Sequence, residues 1–103
     1  MEDLSYSFTA PLWVWVSPKK ATAWHFITVP KDDADHMRFF SAHLTRGFKS
    51  LRVRARIGDT EWKTSIFPST ERGSYILPVK KSVRQAEDID ADDPVKVFLK
   101  ILD

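Results

Sequence analysis

Residues 51–67 read LRVRARIGDTEWKTSIF. Leu51, Val53, Ala55 and Ile57 alternate strictly with Arg52, Arg54 and Arg56, the period of a strand with one apolar and one wet face. Gly58-Asp59 then reads as a two-residue hairpin turn, with Gly where φ must be positive. Such a turn fixes the register. Ile57 faces Thr60, Ala55 faces Trp62, Val53 faces Thr64 and Leu51 faces Ile66 on the core side. On the outer side Arg56 meets Glu61, Arg54 meets Lys63 and Arg52 meets Ser65. One of these outer pairs attracts and one repels.

The same periodicities extend in both directions. Upstream, Tyr6, Phe8 and Ala10 alternate with Ser5, Ser7 and Thr9, predicting a first strand. Pro11 is expected to interrupt it with a bulge or an edge position. Leu12 to Val16 is apolar on both faces. Ala23 to Val29 predicts a second strand, and Pro30 ends it. Asp32 or Asp33 is expected to cap a helix running to about Leu44, with Met37, Phe40 and Leu44 on its packed face and Arg46-Gly47 closing it. Downstream, Ser74 to Leu77 predicts a short strand. Val79, Val83 and Ala86 mark a two-turn helix, and Asp88 to Pro94 an acidic turn. Val95, Val97, Leu99 and Ile101 alternate with Lys96, Phe98, Lys100 and Leu102 in a last strand. Six strands and two short helices predict a mainly β fold, a small closed six-stranded β-barrel, antiparallel or mixed, in a single domain over residues 1–103.

Composition narrows the function classes. The 103 residues hold no Cys, so disulfides, thiol catalysis and thiolate metal sites are excluded. Three isolated glycines make no phosphate-cradling loop. The longest apolar run, Pro11 to Val16, is far short of a membrane span, so no membrane partner is expected. Met1, Glu2 and Asp3 carry no basic leader signature, and a cytoplasmic location is expected.

Charge is unevenly distributed along the chain. Residues 41–84 carry ten basic and three acidic groups, while residues 85–103 carry two basic and six acidic. A basic middle segment points to an anionic ligand or nucleic acid, against the ordinary alternative of a solvated barrel exterior. Arg52, Arg54 and Arg56 project at roughly 6.7 Å intervals, and Lys63 joins them from the partner strand. Lys80, Lys81 and Arg84 crowd the start of the second helix, against its dipole, while Glu87 and Asp88 crowd its end. The Arg84–Asp88 pairing offsets part of that cost. An anion there meets basic side chains and free backbone N–H groups together. Lys80, Lys81, Arg84, Arg52 and Arg54 are therefore the candidate anion-binding residues.

Other chemistry-bearing residues read as structural. His36 and His43 are two turns apart and share no metal easily; His25 sits in a strand between aromatics. The acidic cluster Glu87, Asp88, Asp90, Asp92, Asp93 lacks the spacing of a calcium loop. No base attaches to Ser65, Ser69, Ser74 or Ser82, so no catalytic residue is assigned. No metal site and no cofactor are expected. Trp13, Trp15 and Trp24 read as core, or as a platform for bases or sugars.

The stretch RVRARIGDTEWKTSIFPSTERGSYILPVKKSVRQAEDIDADDPVKVFLKI, Arg52 to Ile101, resembles a bacterial family catalogued as domain of unknown function nineteen-oh-five. The carriers are RVRARIG…WKTSIFP, GSYILPVKKSVR and a closing strand after an acidic turn; WHFITVP leading into a helix also fits. The resemblance implies a small closed six-stranded barrel with no assigned activity. Where that family has Gly-Asp before the last strand, this chain has Asp92-Asp93-Pro94; Asp adopts the left-handed conformation at modest cost, so the turn is expected to survive. LPVKKSVR with its acidic turn and Val-rich strand is also similar to swapped-hairpin (AbrB-like) DNA-binding regulators. The expected function is a non-catalytic binding module with a basic face. The alternatives are a small-molecule binder or enzyme using a pocket between barrel and helices, and a DNA-binding regulator. A monomer is expected, with a homodimer as the alternative because Leu12 to Val16 and Phe98 to Leu102 are apolar on both faces.

Overall fold

A computed structural model describes residues 4–19, 22–41 and 49–102. Six strands close into a barrel in the order β1-β2-β5-β4-β3-β6, every neighbour antiparallel. The elements are β1 (Ser5–Val16), β2 (Ala23–Thr28), α1 (Lys31–Ser41), β3 (Leu51–Ile57), β4 (Thr60–Ser69), β5 (Ser74–Pro78), α2 (Lys81–Glu87) and β6 (Pro94–Ile101).

The β3–β4 hairpin has the register read from the sequence, from Ile57 opposite Thr60 to Leu51 opposite Ile66. Gly58 has φ +58° and Asp59 is not in the positive-φ region, the sign pattern of a type II′ turn. Val53 and Ala55 are fully buried and Trp62 packs half-buried against the core. Leu51, Val53, Ile57, Val95, Val97, Leu99 and Ile101 fill the interior with Leu12, Ile27, Leu77 and Tyr75. Each such aliphatic side chain contributes about 1.5–3 kcal/mol on burial, so alternation, more than any polar contact, holds the barrel shut.

Closure depends on the two longest strands. β1 pairs with β6 through Ser5–Pro11 and with β2 through Leu12–Val16. β4 pairs with β3 through Thr60–Ile66 and with β5 through Phe67–Ser69. Each long strand thus turns a barrel corner by changing partners. Pro11 does not interrupt β1, contrary to the expectation. It stands opposite Pro94 at the end of the β1–β6 ladder, where its missing N–H costs nothing. Just beyond, Leu12 N–H donates to Asp93 O, and Asp92 N–H donates to Leu12 O. Asp92 has φ +73°, so the acidic turn does survive with Asp in place of Gly.

The helices depart from expectation in detail. α1 starts at Lys31, because Ala34 N–H already donates to Pro30 O; Asp32 and Asp33 therefore lie in the first turn and do not cap it. Its buried face is Ala34 and Met37, three apart, while Phe40 is exposed. Phe40 instead stacks against His36, ring centroids 4.3 Å apart. Leu44 and Arg46-Gly47 lie outside the described residues. In α2 Val79 precedes the helix and Ala86 is exposed, leaving Val83 as the buried residue. α2 ends on Asp88 in the left-handed region, whose N–H bonds back into the last turn.

Candidate anion-binding face

The face begins with the outward residues of β3. Because β3 pairs β4 on one side and β6 on the other, Arg54 lies opposite both Lys63 and Lys100. Three cations therefore form one row across three strands. In the next row Glu61, Arg56 and Phe98 stand side by side, and Ser5 and Ser7 of β1 continue the two rows. Lys96 and Arg52 flank them on β6 and β3. Like charges directly opposite each other are unfavourable. Among the described residues Glu61 is the carboxylate that stands within these rows.

That carboxylate, Glu61, does not pair with Arg56 as the sequence suggested. It lies 3.5 Å from Arg54 Nε along the diagonal. Arg56 is drawn away because its guanidinium lies 4.0 Å from the Phe98 centroid and donates to Gly58 O at 2.9 Å. Lys96 Nζ lies 5.5 Å from the same ring. Arg52 donates to Ser65 Oγ at 3.3 Å. A shallow depression of about 280 Å³ opens between Ser5, Arg54, Arg56, Glu61, Phe98 and Lys100.

A family model described as Domain of unknown function (DUF1905) matches residues 8–99. The chain belongs to this family. No curated protein matches the chain. The DUF1905 match takes in β1 from Phe8, the β3–β4 hairpin, both helices and the Asp92 turn. Ser5 and Lys100, which complete the basic row, stand just outside it.

The second basic group of this DUF1905 chain lies elsewhere. Lys80 is the N-cap of α2 without a side-chain cap bond, and Lys80 and Lys81 are exposed. Arg84 does not pair with Asp88. Its Nε donates to Val79 O at 3.2 Å, and its Nη1 lies 3.3 Å from His25 Nε2. Nε2 must then accept, which puts the ring proton on Nδ1, a buried atom with no partner among the described residues. Burial, and then the Arg84 charge, hold the His25 pKa below the usual histidine value. α2 thus starts beside β2 and β5, while Arg52 and Arg54 sit on β3 with β4 between. The fold brings Arg52 and Arg54 together with Arg56, Lys63, Lys96 and Lys100, and sets Lys80, Lys81 and Arg84 apart from them.

Lys96, Phe98 and Lys100 were legible as outward-facing but not as part of the site, because nothing local reveals that β6 lies beside β3. His36 is engaged by Tyr6, whose phenol oxygen lies 2.6 Å from Nδ1. Burial and the Asp33 charge raise the Tyr6 pKa, keeping the phenol protonated. Among the described residues no three His, Asp or Glu side chains gather to hold a metal, and no helix is long and apolar enough to cross a membrane.

Proposed function

We propose that this domain is a non-catalytic binding module whose basic sheet face takes a polyanion. The observation that carries the reading is the Lys63–Arg54–Lys100 row, three cations held opposite one another by backbone register. Sheet stability alone disfavours such a row. A chain of phosphates or sulfates offsets the repulsion and releases its own counterions. The depression there is small and open, at the lower limit of pockets that enclose small molecules. That supports an extended ligand over an enclosed small molecule at this face. Lys80, Lys81 and Arg84 form a secondary part of the proposed anion surface.

The test is heparin chromatography and DNA titration against salt. The Arg54→Ala/Lys100→Ala variant should leave heparin at lower salt than the parent. Its log-affinity slope against log salt should fall by about one for each phosphate contact removed. The Lys80→Ala/Lys81→Ala variant measures the share of the helix start. Co-elution of the Arg54→Ala/Lys100→Ala variant with the parent, both folded by circular dichroism, defeats the reading.

A further inference from the structure

Beyond Leu12, β1 has left β6, and β2 pairs β5 only through Phe26–Thr28. Val14–Val16 and Ala23–His25 therefore pair as a two-stranded arm at the end of the barrel, with His25 O accepting from Val79 N–H. On one face of it Trp13 stands opposite Phe26 and Trp15 opposite Trp24. Trp13 is fixed: its indole N–H donates to Thr28 Oγ1 at 2.8 Å, and the Arg72 guanidinium lies 3.8 Å from its ring centre. Trp15 and Trp24 are 49% and 52% exposed, although large aromatics normally supply core. Trp24 lies nearly parallel to Phe26, at 10° and 6.4 Å.

This aromatic arm shares a surface with the basic face. Side chains alternate along β1 without a bulge, so Ser5, Ser7, Thr9, Pro11, Trp13 and Trp15 all point outward. Ser5 lies opposite Lys100, Ser7 opposite Phe98 and Thr9 opposite Lys96. Eight residues on from Ser7, roughly 27 Å along the strand, stands Trp15. One track therefore runs from a row of cations, past exposed small hydroxyl side chains, to two half-exposed indoles. A sulfated sugar or polyphosphate uses only its first part. A single strand of nucleic acid uses all of it, because it presents charge on its backbone and unpaired flat bases beside it. A duplex keeps its bases stacked inside and offers nothing to Trp15 and Trp24.

We infer that the polyanion is single-stranded nucleic acid, its phosphates on Arg54, Lys96 and Lys100 and its bases stacked on Trp15 and Trp24. This rests on the anion-binding reading and names its ligand. The experiment titrates the intact chain with an oligothymidine of about ten nucleotides, within the usual site size of one small barrel. A duplex of the same length and inorganic polyphosphate are titrated in parallel, with anisotropy and tryptophan fluorescence as readouts. Oligothymidine should quench the tryptophans and bind more tightly than the duplex. Trp15→Ala/Trp24→Ala should lose about thirtyfold or more in oligothymidine affinity and nothing for polyphosphate. Arg54→Ala/Lys100→Ala should lose both. Both tryptophans are half-exposed, so their removal leaves the core intact.

Equal binding of duplex and single strand, or unchanged oligothymidine affinity in the Trp15→Ala/Trp24→Ala variant, overturns the inference while the anion reading stands. Tryptophan fluorescence that shifts with protein concentration alone, with a doubled mass, marks the arm as a contact between copies and also overturns it. A parent chain that binds neither probe removes the anion reading itself.

Discussion

Arg54 on β3 stands directly opposite Lys100 on β6, while Glu61 reaches Arg54 from the diagonal on β4. The pairing is imposed by backbone hydrogen bonds and by the buried alternation of Val53, Ala55, Leu99 and Ile101, not by the side chains that meet. Shifting either strand by one residue would bury Arg54 and expose Val53. The hydrophobic interior thus holds these cations in one row against their mutual repulsion.

Replacing Lys63 by Glu tests the cost of that row. The substitution converts a like pair opposite Arg54 into an opposite pair. Both groups face solvent, so the gain is about 0.3 kcal/mol. Urea unfolding of Lys63→Glu should give a slightly higher midpoint, and heparin retention should fall. A lower midpoint would mean that the row carries no repulsion.

Gly58 is constrained twice. Its φ of +58° is left-handed, and a Cβ there would overlap the Glu87 carboxylate, which Thr60 holds through a 2.6 Å hydrogen bond. Gly58→Ala should destabilise by about 2 kcal/mol, from backbone strain and the displaced bond together. Adding Glu87→Ala should recover only the steric part. Full recovery in the double variant, read by thermal unfolding, would show that the turn tolerates a side chain.

Asp92 invites the opposite change. It holds φ +73° while its N–H donates to Leu12 O. Asp92→Gly removes the left-handed strain but adds unfolded-chain entropy, for a net gain of about 0.5 kcal/mol. The melting temperature should rise by about 2–4 °C. A fall would show that the Asp92 side chain itself supports the turn.

His25 makes the fold acid-sensitive. Its folded pKa lies below the ordinary value of 6.5, through burial first and the Arg84 charge second. The unfolded chain therefore takes up the proton first. Stability should be fully present above about pH 6.5 and fall as the pH drops from there towards the folded value. His25→Gln keeps an acceptor for Arg84 and does not titrate. The difference in unfolding free energy between parent and variant should change with pH only in that window; a constant difference from pH 7.5 to 5 would refute the assignment.

Much of this architecture was legible along the chain. The Leu51–Ile57 alternation and Gly58-Asp59 determined a hairpin, its register and which residues face inward, because side-chain period and turn geometry act over a few residues. Val95 to Ile101 was equally plain. Where expectation missed, a longer-range force had won. Arg56 abandoned Glu61 for the Phe98 ring of another strand. Arg84 ignored Asp88 one helical turn away because His25 and the Val79 carbonyl lie in front of it. Pro11 passed without a break because β1 was changing partners there.

The sequence by itself determined where the strands lie, which face of each is apolar, and that the middle of the chain is strongly basic. Only the tertiary structure decided which cations meet. β3 and β6 are separated by more than thirty residues, and their adjacency follows from closing six strands so that no apolar face stays wet. That closure puts Lys100 beside Arg54, leaves Lys80, Lys81 and Arg84 beyond β4, and carries Trp15 and Trp24 out on an arm along the same strand face. Local sterics write the alternation; burial of the shared interior chooses the neighbours.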